Sequence, residues 1–401
     1  MSSPCTHICF SKRKILVGAC MNNNNFQDPS SSQQQNGQIY SIDWELLSLP
    51  STPSSVRARW LIVGDGNPLA SALTNYLKEQ GYICLEVNIG NFQKNEEEAL
   101  IDHKQVREQL ACALSNHKDE DETTHVLFML EPKNQKNVSQ NALDILTEAQ
   151  RFLHLILSTP NVAQLWFLDS ASPFKGNLSN GELSNSILSG FIHGVNVECP
   201  ELYCTGIHLS DDFDASDFSV MTHFIQKSNH QVEEQLAIHK GQVYAQRLVP
   251  NAISHSHELP IRSDGTYLIT GGTGGLGLQL ALKITQKKPK RLVLISRNGE
   301  ISKLDYPVWE RIQQTNTPVD IIKIDVSDEA QLNYLIADEI GQQLSGIFHC
   351  AGCLDDGLLL NQNRDSFARV LSAKVDGAWL LHRLTTNLSL DFFVMFSSTA
   401  S

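Results

Sequence analysis

Short β-branched and aromatic runs alternate with helical stretches along most of this chain, and the alternation is made twice. RWLIVGD (59–65) has the apolar density of a buried strand, and PLASALTNYLKEQGY reads as a helix ending at Gly81. YICLEVN, HVLFMLE, AQLWFLDS and LYCTGIHLS are further strands, with VSQNALDILTEAQRFLHLIL among the helices between them. EEQLAIHKGQVYAQRLVP reads as a hairpin turning at Lys240-Gly241. After PIRSDG a second series begins, with strands TYLITG, RLVLISR, VDIIKID, SGIFHCAG and LDFFVMFSS. Strands separated by helices require crossover connections and therefore parallel βαβ units. The expected fold is α/β: two side-by-side Rossmann-like, doubly wound parallel-sheet units over 39–260 and 261–401, the second incomplete at its C-terminal end.

A chain of 401 residues is long enough for two such units, and 41% hydrophobic with 19% charged residues is the composition of a soluble globular protein. A net charge of −13 argues against a nucleic-acid groove or an anionic membrane surface as the main partner. No apolar run approaches the ~20 residues a membrane-spanning helix needs. Residues 1–38 carry Lys12-Arg13-Lys14, a short ILVGAC run and MNNNNFQDPSSSQQQNGQ. So few apolar side chains do not offset the entropy of ordering, and a disordered lead-in is expected there. Nine cysteines at irregular spacings indicate reduced thiols and a cytoplasmic location. CTHIC at 5–9 has no matching second pair of ligands, so no metal is expected. The acidic stretches KNEEEALIDHK and HKDEDETTH read as solvated surface.

The two units differ in their first strand-to-helix turn. In the first, Gly64 and Gly66 are followed by Pro68 and Leu69. Leu69 stands where a third glycine would let the helix pack tightly, and Pro68 removes an amide that could face a phosphate. That unit reads as a scaffold without a nucleotide. In the second, Gly272, Gly274 and Gly277 form G-x-G-x-x-G between a strand and a helix, the context in which that pattern cradles a pyrophosphate on helix N-terminal amides. An NAD site carries an acidic residue about 20 positions further on. Ser296 and Arg297 stand there instead, and a guanidinium suits a 2′-phosphate, which favours NADPH. The alternative is an ordinary surface arginine.

These residues resemble the short-chain dehydrogenase superfamily, and within it the ketoreductase domains of modular polyketide synthases and animal-type fatty acid synthases. TGGTGGLG is similar to their cofactor turn, which implies cofactor contacts for Thr270, Gly272, Thr273, Gly274, Gly275, Leu276 and Gly277. Asp325-Val326 resembles the pair that meets the adenine ring. HCAG at 349–352 resembles the turn lining the cofactor, with Ala351 and Gly352, and accounts for Cys350 and Cys353 without redox chemistry. LSAKVDGAWLL resembles the helix that carries the family's lysine, here Lys374, and FSSTAS the strand that carries its catalytic serine, here Ser398. IYSIDWELL and the hairpin resemble the opening strand and closing hairpin of the structural half. The triplet LDD at 354–356 resembles the mark of B-type reductases and implies a stereocontrol role for Asp355 and Asp356.

The resemblance implies NADPH-dependent reduction of a 3-ketoacyl thioester, delivered on the phosphopantetheine arm of an acyl carrier protein, to the D-3-hydroxy product. Other synthase domains are the implied partners. Ser398 would hydrogen-bond the carbonyl oxygen as charge develops on it, and Lys374 would lower the pKa of a tyrosine acid. Spacing alone leaves Lys374 open as a solvated helix lysine beside the stripe Leu371, Val375, Ala378 and Leu381.

One departure stands out. The family's tyrosine follows the serine, yet only three residues follow Ser398, and the last tyrosine is Tyr334. The chain is therefore expected to be a fragment of a longer synthase, lacking full activity as it stands, with LDFFVMF a poorly paired strand. The competing readings are a catalytically inactive remnant that only binds NADPH or is structural, and a free-standing oxidoreductase with a fused N-terminal domain.

Overall fold

Two separate sheets organise the chain, one of eight strands and one of six. A computed structural model describes residues 15–19, 39–48, 58–64, 66–88, 108, 123–129, 137–158, 164–170, 173–174, 180–210, 212–227, 233–251 and 260–397. CTHIC, KNEEEALIDHK, most of HKDEDETTH, and Ser398 lie outside the described residues. The chain divides into a first unit, Ile42–Val249 with Asp356–Phe367, and a second, Met1–Ser41 with Pro250–Asp355 and Ala368–Ser401. Strand β1 (Ile15–Ala19) belongs to the second unit.

The larger sheet contains β2 (Ile39–Leu46), β3 (Ala58–Gly64), β4 (Ile83–Asn88), β5 (Thr123–Met129), β6 (Leu165–Asp169), β7 (Cys204–Leu209), β8 (Gln235–His239) and β9 (Gln242–Asn251). Their order is β2-β9-β8-β7-β6-β5-β3-β4. Pairing is parallel from β4 through β8 and antiparallel in the β8–β9 hairpin. Lys240 and Gly241 turn that hairpin at φ 51° and 68°, the left-handed pair a two-residue turn demands. Helix α1 (Pro68–Glu79) follows β3, and α2 (Val138–Leu157) follows β5. After β6 come α3 (Asn180–Asn185) and α4 (Ile187–Glu198), and α5 (Ala215–Lys227) leads to the hairpin. Every residue of β6 and β7 is buried, as expected of parallel strands covered on both faces.

Residues 356–367 join this unit although the sequence placed them with the second. The Glu198 carboxylate accepts from the Leu359 amide at 2.9 and 2.8 Å, and the Gln150 side chain donates to the Leu359 carbonyl at 3.0 Å and to that of Gln362. Arg364 pairs with Asp144 at 2.6 Å. These anchors are single polar side chains scattered over α2 and α4, which no periodicity reveals.

In the second unit β10 (Thr266–Thr270), α6 (Gly275–Thr285), β11 (Arg291–Ser296), α7 (Tyr306–Gln313) and β12 (Val319–Lys323) come first. Helix α8 (Glu329–Asn333) continues into a π turn at Tyr334–Ile340 before β13 (Leu344–His349). Helix α9 (Arg364–Leu371), whose residues up to Phe367 belong to the first unit, a π turn at Ser372–Asp376 and α10 (Gly377–Leu384) then lead to β14 (Phe392–Ser397). The all-parallel order is β1-β14-β13-β10-β11-β12. Alternate residues face opposite layers: Leu268, Val293 and Ile347 join one apolar cluster, and Tyr267, Ile269, Leu294 and Phe348 the other. The strand order reverses at β10, between β11 and β13, and such a switch point opens a crevice beyond the C-terminal strand ends.

The strand β1 differs from the disordered lead-in expected over residues 1–38. It pairs with β14 from Ile15 opposite Phe393 to Ala19 opposite Ser397, so β14 is paired on both sides instead of poorly paired. An apolar strand with open N–H and C=O groups recruits any β-prone run within reach, and ILVGA is one.

Candidate active site

The crevice at the switch point is a cavity of about 360 Å³. Its floor is the turn from β10 into α6. Gly271 holds φ 63°, where a Cβ would lie 2.9 Å from the backbone of Ala351. A Cβ on Gly277 would come within 2.4 Å of the Gly271 carbonyl oxygen, so only glycine lets α6 begin this close to the strand. Gly274 occupies the cap position of α6, and no side chain takes up the first amides of that helix. They remain available to an anionic ligand.

The corresponding turn of the first unit is closed. Asn67 Oδ1 accepts from the Ala70 amide at 2.7 Å, Pro68 has no N–H, and Leu69 is buried in the core. The helix end that could meet a phosphate is already satisfied by its own cap.

Most of the predicted cofactor residues come together around the second cavity. Thr273, Gly274, Gly275, Leu276 and Gly277 line it from the turn, and Ser296 and Arg297 from the end of β11. Asp325 and Val326 line it after β12, and Ala351 and Gly352 after β13. Thr270 and Gly272 do not line it. Thr270 is fully buried behind it, and Gly272 packs where a Cβ would strike Leu294 at 2.7 Å. Gly271, Ile295, Asn298, Glu300, Ile324, Cys350 and Ala373 also contribute, and adjacency to the motifs was the only signal for them.

The polar groups divide into occupied and open ones. Ser296 Oγ accepts from Thr273 Oγ1 at 2.8 Å and from the Gly299 amide at 3.1 Å, tying the glycine turn to the β11 terminus. Asp325 Oδ1 accepts from the amide and hydroxyl of Ser327 at 3.0 and 2.7 Å. Arg297 is exposed at the rim with no ion-pair or hydrogen-bond partner among the described residues. Burial, partly offset by Lys374, pushes the Cys350 thiol up to about 12. All five described cysteines are free, so Cys350 and Cys353 form no disulfide.

Lys374 sits on the π turn between α9 and α10, and its side chain lies over Gly352. A Cβ there would meet Lys374 Cε at 2.7 Å and Nζ at 3.0 Å. The turn shifts the helix register, so Leu371 and Leu381 are buried as expected while Val375 and Ala378 are only half-buried. Ser398 is outside the described residues. Asp355 and Asp356 do not line the cavity: Asp355 pairs with Arg369 at 2.7 Å, and Asp356 is exposed and belongs to the first unit. Tyr334 is exposed on its π turn and does not line the cavity either.

An open-ended glycine turn under a switch-point cavity is the arrangement in which α/β units hold nucleotides. Residues 265–401 match the family model of the KR domain. The chain is 41% identical over 143 residues to erythronolide synthase EryA2 of Saccharopolyspora erythraea, covering 35% of this chain and 4% of that protein. It is 39% identical over 153 residues to the 6-methylsalicylic acid synthase of Penicillium expansum, covering 34% and 8%. It thus spans a small part of these relatives' length. Among solved structures, an A-type ketoreductase from a modular polyketide synthase superposes with TM-score 0.73 at 23% identity, over 90% of this chain and 74% of that one. The first ketoreductase of the tylosin polyketide synthase superposes with TM-score 0.67 at 25% identity, over 90% and 72%. KR domains bind a nicotinamide cofactor.

Proposed function

We propose that the second unit binds NADPH and reduces a 3-ketoacyl thioester, carried by an acyl carrier protein, to the D-3-hydroxyacyl thioester in polyketide or fatty acid synthesis. The observation that carries this reading is the cavity of the second unit, which gathers a free helix N-terminus and an arginine unpaired among the described residues, with Lys374 packed over Gly352 of its lining. The residues suit the cofactor: the glycine cradle leaves room that any Cβ would fill, and the α6 amides are uncapped. Gly275 and Leu276 would hold the pyrophosphate, Arg297 the 2′-phosphate, and Asp325 and Val326 the adenine. Bound NADPH supplies the hydride.

Lys374, whose side chain lies beside the Ala351–Gly352 turn, is assigned by resemblance the role of lowering the pKa of a tyrosine acid. Ser398, assigned by resemblance, donates a hydrogen bond to the substrate oxygen. Asp355 and Asp356 are assigned stereocontrol on the same basis. Free thiols among the described cysteines are in keeping with a cytoplasmic setting. Other synthase domains are the proposed partners.

The test supplies the purified chain with NADPH and the N-acetylcysteamine thioester of a 3-ketoacid, follows absorbance at the reduced nicotinamide, and resolves the product by chiral chromatography. NADPH consumption with D-3-hydroxy product is the expected result. Binding of NADPH without consumption would reduce the reading to a binding role.

A further inference from the structure

His349 is the last residue of β13 and lies directly opposite Thr270, the last residue of β10, across the switch point. It is 2% exposed, and the sequence reading gave it no role. Its Nδ1 is 2.7 Å from Thr270 Oγ1, which also accepts from the Ala351 amide at 3.1 Å. A hydroxyl has one proton and two lone pairs, so it can accept from Ala351 and still share a proton with Nδ1 in either direction. The Cys350 amide adds a bond to the Thr270 carbonyl at 3.2 Å. The lining turn therefore hangs from Thr270, and His349 holds the Thr270 hydroxyl in place.

The far edge of the ring faces the helix that carries Lys374. Nε2 is buried without a hydrogen-bond partner. The backbone of Ala373 is close enough to favour its protonated form, though short of hydrogen-bond geometry. Cε1 is 3.3 Å from where a Cβ on Gly377 would stand. Ala373 on the π turn and Gly377 at the start of α10 bracket Lys374. An apolar side chain would fill this place without leaving a buried polar atom unsatisfied, so the imidazole carries a cost that packing alone does not explain.

We propose that His349 is a positioning residue: through Thr270 it fixes the Ala351–Gly352 wall of the cofactor cavity, and through its far edge it seats the π turn that lays Lys374 over that wall. Neither ring nitrogen touches the cavity, and no proton transfer is assigned to the ring. The inference rests on the proposed function for its cofactor readout only.

The experiment is a double-mutant cycle of His349→Phe and Thr270→Val, with His349→Asn as the conservative variant, since the Asn amide offers both an acceptor and a donor in place of Nδ1. NADPH affinity is read by nicotinamide fluorescence. In parallel, the labelling rate of Lys374 by a succinimidyl ester is read by mass spectrometry relative to Lys283 and Lys287. Each single variant is expected to weaken NADPH about tenfold, the double variant no more than about threefold further, and His349→Asn to stay within about threefold of the parent. Lys374 labelling should change in His349→Phe and not in His349→Asn. Additive losses, or parental affinity and labelling in His349→Phe, would overturn the proposal. Should His349→Phe not fold, Thr270→Val and His349→Asn decide: parental affinity in the first or a tenfold loss in the second would overturn it. If the parent chain binds no NADPH, the proposed function fails while Lys374 labelling still tests the role of His349.

Discussion

On the proposed reading, Arg297 is the residue on which cofactor choice turns. It stands at the cavity rim with its guanidinium unpaired, while its neighbour Ser296 is spent on the bonds from Thr273 and Gly299. A charge-assisted pair with a 2′-phosphate is therefore Arg297's to make. Arg297→Glu is expected to weaken NADPH about tenfold or more and to leave NADH within about threefold, measured by fluorescence titration of both nucleotides. Equal losses for the two would remove Arg297 from the discrimination. The G-x-G-x-x-G pattern made this site legible in sequence because the turn, the amides and the close packing are all local. Gly271 was not legible as the left-handed residue, because its conformation answers to Ala351, eighty positions away in sequence yet adjacent in the sheet.

At the scale of elements, the hairpin at Lys240-Gly241 and the β-α alternation were readable because turn chemistry and strand burial leave short-range marks. The π turn at Ser372–Asp376 left none: one added residue inside an amphipathic helix changes which neighbours are buried without changing composition. The strand Ile15–Ala19 was hidden by its polar flanks, although its pairing with β14 is what closes that edge of the sheet. Deleting Ile15–Ala19 is expected to lower the melting temperature by several degrees and to promote self-association, read by scanning calorimetry and light scattering. An unchanged melt and a monodisperse sample would show that β14 needs no such partner.

At the scale of the whole molecule, buried histidines make the two units respond differently to acid. Burial, and then the Lys374 ammonium, push His349 down to about 4, and burial pushes His125 down to about 4. Such a histidine stays neutral when folded but takes up a proton when unfolded, so stability falls as pH drops from about 6.5 toward 4. In the first unit His208 acts in the opposite sense. Burial disfavours its charge, but Asp169 at 2.9 Å and Gln235 outweigh burial and raise its pKa, giving stability that is present in acid and lost as pH rises through the raised value. His208 works against His125 there, whereas His349 works toward acid lability in the second unit. Between pH 7 and pH 5 protonation linked to His349 is expected to cost the second unit on the order of 2 kcal/mol, and the first unit, where His208 opposes His125, is expected to lose less. Hydrogen exchange of β10 and β13, compared with β6 and β7, reads this difference, and equal loss of protection would contradict it.

The central claim is that one of two similar units holds a dinucleotide and the other has closed its own turn with Asn67, Pro68 and Leu69. Calorimetric titration of the purified chain with NADPH, and then with NADH, tests it most directly. The account predicts saturation at one NADPH per chain, with NADH binding more weakly. Saturation at two per chain, or no binding of either nucleotide, would contradict it.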